Sequence, residues 1–163
     1  MKKVVFVVLM FLVLSGCSGK QVFETVSDVE WMPVIAQARQ LNLVLPKDAA
    51  VYTVMGDEEN KLYLCDGYTV AVQRMESGDL DRTVRQVTGF SAERISMIET
   101  KQEDVTRYDF AWSAVGESGD QIGRGALLDD GQYHYCVSVM GSAEKSGVLQ
   151  EQWQSLLLSV NID

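Results

Sequence analysis

The sequence predicts an α+β fold, an antiparallel sheet covered by helices on both faces. Three observations carry this. Long β-rich runs at about 105–116, 120–128 and 132–140 follow one another across short turns, the pattern of an antiparallel meander. Two other stretches switch to helical spacing: Leu80, Val84 and Val87 in mid-chain, then Leu149, Trp153, Leu156, Leu157 and Val160 near the end. Both faces of the meander are substantially apolar, and a sheet with one wet face would alternate more cleanly.

The elements follow in order. Leu41, Leu43 and Leu45 alternate up to Pro46, a strand period. Val51 to Met55 is a second β-rich run, closed by the acidic turn Gly56-Asp57-Glu58-Glu59-Asn60. Lys61 to Cys65 and Tyr68 to Arg74 flank Asp66-Gly67, a strong hairpin signal. A helix is predicted at about 79–88, with Ser77 or Asp79 as N-cap and Gly89 as the C′ residue. Arg94 to Glu99 returns to strand character.

If Ser118-Gly119 and Asp130-Gly131 are both two-residue turns, the meander's register follows. Trp112 then lies opposite Gly125, Ala114 opposite Gly123, Gly125 opposite Cys136, Leu127 opposite His134, and Gly123 opposite Ser138. One face carries Tyr108, Phe110 and Trp112, with the indole over a glycine. The other carries Ala111, Ala126, Leu128, Tyr135, Val137 and Val139. The last helix is placed at about 143–158, with Ser142 as N-cap candidate.

The start of the chain has a different character. Lys2 and Lys3 precede an unbroken apolar run from Val4 to Leu14. The run is too short for a membrane span, which needs about 20 residues, and suits a signal-peptide core. Leu14-Ser15-Gly16-Cys17 follows at once. This resembles the lipobox of bacterial lipoproteins. The resemblance implies that the Cys17 thiol receives a diacylglycerol, that cleavage makes Cys17 the new N-terminus, and that acyl chains such as palmitate anchor it. An ordinary secretory signal with an incidental cysteine is the plainer alternative. Residues 1–16 thus read as a lipoprotein signal peptide, 17–37 as lipidated N-terminus and tether, and 38–163 as one α+β globular domain. Val22 to Val26 is a candidate short strand in the tether, and Trp31-Met32-Pro33 interrupts regular structure.

From about residue 38, the order of elements is similar to small exported lipoproteins of the PsbP-like α/β sandwich family: a strand ending Leu45-Pro46, hairpins, a helix ending Thr88-Gly89, a long meander, and a final helix running into Leu157-Leu158-Ser159-Val160. The resemblance is one of shape and carries no catalytic signature. It implies an accessory or binding protein.

Charge and composition narrow the function. Of 163 residues, 47% are apolar and 23% charged, which fits neither a disordered chain nor a multi-span membrane protein. Fourteen Lys and Arg against 23 Asp and Glu give a net charge of −9, so a nucleic-acid partner is not expected. An acidic body also stands off anionic headgroups.

His134 is the only histidine, and Ser138 or Cys136 on its predicted face is a candidate nucleophile. Residues i and i+2 share a strand face whatever the function, so a structural histidine is the favoured interpretation. One histidine and two body cysteines without CxxC spacing do not make a zinc site. Asp57 to Asn60 and Asp129-Asp130 lack the EF-hand pattern, and Asp81 with Arg85 is an ordinary i, i+4 pair. No catalytic residue, metal or cofactor is expected. Cys65 and Cys136 leave two outcomes open, a disulfide in an oxidising compartment or two buried free thiols.

The expected function is a non-catalytic, lipid-anchored binding or accessory module of the cell envelope. It would face outside the cytoplasm, attached through the lipid on Cys17, with an envelope protein or ligand as partner. The alternative is a small-molecule carrier or sensor with a pocket between the sheet and the C-terminal helix, lined by Tyr133, Tyr135 and Trp153.

Overall fold

The structure, a computed structural model, describes residues 37–52, 60–116 and 119–163. The Val4–Leu14 run, the lipobox with Cys17, the Val22–Val26 run, Trp31-Met32-Pro33, most of the acidic turn before Asn60, and Ser118 lie outside the described residues.

Among the described residues, nine strands and two α-helices follow in order: β1 (Leu41–Asn42), β2 (Ala50–Tyr52), β3 (Lys61–Cys65), β4 (Tyr68–Glu76), α1 (Leu80–Thr88), β5 (Ser96–Gln102), β6 (Val105–Gly116), β7 (Gly119–Asp129), β8 (Tyr133–Ser142), α2 (Ser146–Leu158) and β9 (Asn161–Ile162). Seven strands form an antiparallel sheet in the order β2-β3-β4-β8-β7-β6-β5. Strand β8 bridges the two halves because it pairs with both β7 and β4. Strands β1 and β9 make a separate two-stranded ladder.

Local chemistry explains most boundaries. The Asp66-Gly67 turn joins Cys65 to Tyr68, with Gly67 at φ +83°. In α1, the Asp79 carboxylate accepts from the Arg82 N–H, and Gly89 closes the helix at φ +80°. Helix α2 departs from expectation. Ala143–Lys145 is a 3-10 turn, and the Ser142 side chain caps nothing there. The Ser146 hydroxyl instead donates to the Ala143 carbonyl at 2.7 Å. The Leu41–Leu45 run forms a ladder only at Leu41–Asn42. Beyond it, the Val44 N–H donates to Ser159 Oγ, and the ladder stops before Pro46.

The meander's register differs by two residues at both turns. Trp112 lies opposite Gly123 and Phe110 opposite Gly125; Leu127 faces Cys136, Gly125 faces Ser138, and Gly123 faces Met140. At the first turn, Gly116 pairs with Gly119, so the glycine predicted within the turn is already in the strand. At the second, the ladder closes at Asp129 and His134. There the Asp130 carboxylate accepts from the Gln132 and Tyr133 N–H groups and Asp129 from Gly131, which holds a wider loop open. A slip of two keeps each side chain on its expected face and changes only its partner.

Alternation sorts the apolar side chains into two clusters. Ala126, Leu128, Tyr135, Val137 and Val139 pack with Tyr68, Val70 and the α2 residues Leu149, Trp153, Leu156 and Leu157. Phe110, Trp112, Leu127 and Cys136 pack with Ile95 and the α1 residue Val84. A Cβ at Gly123 would overlap the Trp112 indole, and one at Gly125 would overlap Phe110, so both aromatic rings lie flat on backbone.

Candidate functional site

His134 is fully buried at the start of β8, between β4 and β7 and beneath α1. Thr83 of α1 places its hydroxyl 2.8 Å from Nδ1. The Ser77 hydroxyl lies 3.3 Å from Nε2, and Asp129 Oδ2 lies 3.6 Å from the same nitrogen. The Ser77 hydroxyl donates to Asp129 Oδ1 at 2.9 Å. A carboxylate beside Nε2 favours a proton on that nitrogen, which leaves Nδ1 to accept from Thr83. Activation of Ser77 would need the reverse, a bare Nε2 receiving the serine proton. The geometry therefore fixes the ring and does not prime Ser77 as a nucleophile. A cavity of about 280 Å³ opens beside the cluster, walled by Glu76, Asp79, Arg82 and Gln86. Ser138 and Cys136, the predicted nucleophile candidates, lie further along β8, and the partners His134 does have come from other elements. Sequence spacing could not show those partners, because Thr83 and Ser77 are more than fifty positions away.

A second polar cluster ties the start of the described body to the sheet. The Arg39 N–H donates to the Tyr135 phenol oxygen at 2.7 Å, and that phenol donates to Asp130 Oδ2 at 3.2 Å. The Arg39 guanidinium pairs with Asp104. This ion pair holds the Asp104 carboxyl below its usual range. Burial pushes the Tyr135 phenol up, partly offset by the Arg39 N–H. Next to this cluster, a cavity of about 660 Å³ is lined by Val105, Leu128 and Ile162 together with Arg39, Glu103 and Arg107. Arg107 is committed elsewhere. Its fork grips both oxygens of Asp109 at 2.8 Å, and its remaining N–H groups donate to the Leu157 and Val160 carbonyls at the end of α2.

The residues of the predicted sheet–helix pocket are brought together only in part. Trp153 is fully buried with its ring 6.0 Å from Tyr68, and Tyr135 contacts Tyr133. Tyr135 also walls a cavity of about 260 Å³ with Leu41, Leu43 and Val72. Among the described residues, Cys65 and Cys136 are free thiols. Cys65 packs at the edge of the α2 cluster and Cys136 inside the α1 cluster. Burial pushes the Cys136 thiol up to about 12. It also pushes the Tyr68 phenol up to about 12, with Cys65 adding to the rise. Among the described residues, no group of three or more His, Cys, Asp or Glu is placed to hold a metal ion.

No protein-family model matches the sequence, and no curated protein sequence does. Solved structures do match. The solution structure of cyanobacterial PsbP (CyanoP) from Synechocystis sp. PCC 6803 covers 78% of this chain and 95% of its own at TM-score 0.56 and 8% identity. LpqN of Mycobacterium tuberculosis, described as involved in cell envelope biogenesis, aligns over 77% of this chain and 84% of its own at TM-score 0.46 and 8% identity. The likeness to CyanoP shows a PsbP-like fold, mostly antiparallel sheet with two helices.

Proposed function

We propose that this protein is a lipid-anchored, extracytoplasmic module that binds an envelope partner without catalysing a reaction. The observation that carries this is the order Leu14-Ser15-Gly16-Cys17 directly after the Val4–Leu14 apolar run. Two acyl chains on one cysteine suffice for stable attachment, so no spanning helix is needed. No helix of the described residues is long and apolar enough to cross a membrane, in keeping with attachment by lipid. Residues 1–16 are the signal peptide, 17–37 the anchor and tether, and 38–163 the binding body.

The body is a sandwich with a helix on each face of the sheet. Support comes from the two clusters, which take alternate residues of β6, β7 and β8 and each include one helix. Non-catalytic action is supported by the commitment of His134 to Thr83, Ser77 and Asp129, and of Arg107 to Asp109 and the end of α2.

Membrane fractionation tests the proposal. The wild-type chain should sediment with membranes and be released by detergent but not by salt. Cys17→Ala should appear in the soluble fraction or remain as the uncleaved precursor. Processed Cys17→Ala that still partitions like wild type would refute the lipid anchor.

A further inference from the structure

We infer that the groove between α2 and the outer strands β5 and β6 binds a single-chain anionic amphiphile, its head on Arg124 and its tail along Ile98 and Leu158. The inference rests on the body being a binding module and not on the anchor.

The groove follows from the register. Arg124 of β7 lies opposite Ala111 of β6, which lies opposite Ser96 of β5. Small side chains therefore floor the row from Arg124 to the sheet edge, a distance of about 10 Å at two strand spacings. Leu157 and Leu158 of α2 form the far wall, and the space between measures about 570 Å³. That is the size of small-molecule sites, roughly 300–1,000 Å³.

Its chemistry is amphiphilic. Ile98 and Leu158 are 69% and 71% exposed, large apolar side chains held at the mouth of the groove. Two cations reach it, Arg107 and Arg124. Arg107 is neutralised by the bidentate pair with Asp109, the acid that shares the groove. Arg124 is half-buried and has no ion pair or side-chain hydrogen bond among the described residues. An unpaired guanidinium in an apolar groove offers a planar fork to a carboxylate or phosphate. It stands out in a chain of net charge −9. A cationic or neutral chain would leave that charge unanswered. A strand added at the edge of β5 would lie about three strand spacings from Arg124, beyond side-chain reach.

The test uses the full-length chain in phosphatidylcholine bilayers, irradiated with a diazirine-bearing dodecanoate and mapped by peptide mass spectrometry. Adducts should fall on peptides carrying Ile98, Ala111 and Leu157-Leu158. Unlabelled dodecanoate should compete, with dodecanol and dodecyltrimethylammonium weaker by about tenfold or more, as expected for one charge-assisted bond. Arg124→Gln should weaken labelling by a similar factor, and Leu158→Asp should also reduce it in a protein whose thermal transition is retained. Equal competition by the ammonium compound, unchanged labelling of Arg124→Gln, or adducts outside the groove would overturn the inference. Preferential labelling of the same peptides by a photoactivatable phosphatidylglycerol would assign the groove to bilayer lipid and overturn the single-chain claim. Sedimentation of the same sample reads the anchor separately, so either idea can fail alone.

Discussion

The Thr83 hydroxyl lies 2.8 Å from Nδ1 of His134, and both side chains are buried. This bond joins α1 to β8. Thr83→Val keeps the shape and removes the donor, leaving a buried ring nitrogen unsatisfied at a cost of about 1–3 kcal/mol. The urea midpoint should fall accordingly with an unchanged slope. Nitrogen NMR of the wild type should show the proton on Nε2, the nitrogen beside Asp129. An unshifted midpoint, or a proton on Nδ1, would show that the bond is misassigned.

Arg107 closes the end of α2 through the Leu157 and Val160 carbonyls while Asp109 fixes its fork. Arg107→Lys keeps the charge and loses the fork, so two helix-end carbonyls lose their donors. A loss of about 1–3 kcal/mol is expected, together with faster amide exchange in the last turn of α2. Unchanged exchange there would mean the helix end is held by something else.

Gly123 and Gly125 supply the surface on which Trp112 and Phe110 lie. Gly123→Ala must push the indole away and should destabilise by about 1–3 kcal/mol. Gly131→Ala, in the turn at φ +85° with open space around it, costs through backbone strain alone. If Gly123→Ala leaves near-UV circular dichroism and stability unchanged, Trp112 does not lie there.

Cys136 and Tyr68 set an alkaline limit. Both bind their proton more tightly folded than unfolded, near 12 against ordinary values of 9 and 10. Above pH 9 the folded state therefore holds more protons, and stability falls as pH rises from about 9 to 12, by up to about 1.4 kcal/mol per pH unit for each group. Cys136→Ala should flatten the first part of that decline. In the native protein at neutral pH, Cys136 should resist alkylation, and after denaturation both Cys65 and Cys136 should react. A mature chain with no alkylatable thiols without reductant would establish the disulfide instead.

Some of this was legible in the residues. The helix at Leu80–Thr88 announced itself by Asp79, the apolar spacing and Gly89, all local signals. The faces of the meander were legible because strand alternation has period two whatever the partner. The register was not, since at the second turn it hung on whether the Asp129 and Asp130 carboxylates would capture loop amides and widen the loop, and at the first on Gly119 joining the strand. The environment of His134 was equally hidden. Its partners come from the residue just after β4, from α1 and from β7, and only tertiary packing unites them. Arg124 gave no signal either, because a lone arginine in a strand looks like any solvated residue until its neighbours across the sheet prove to be Ala111 and Val139.

The most direct test of the central claim is metabolic labelling with an alkyne-bearing palmitate analogue. The wild-type chain should take up the label at Cys17, and its mature form should begin at that residue. Cys17→Ala should carry none. Label that persists in Cys17→Ala, or a wild-type chain that is exported and cleaved without label, would contradict the account.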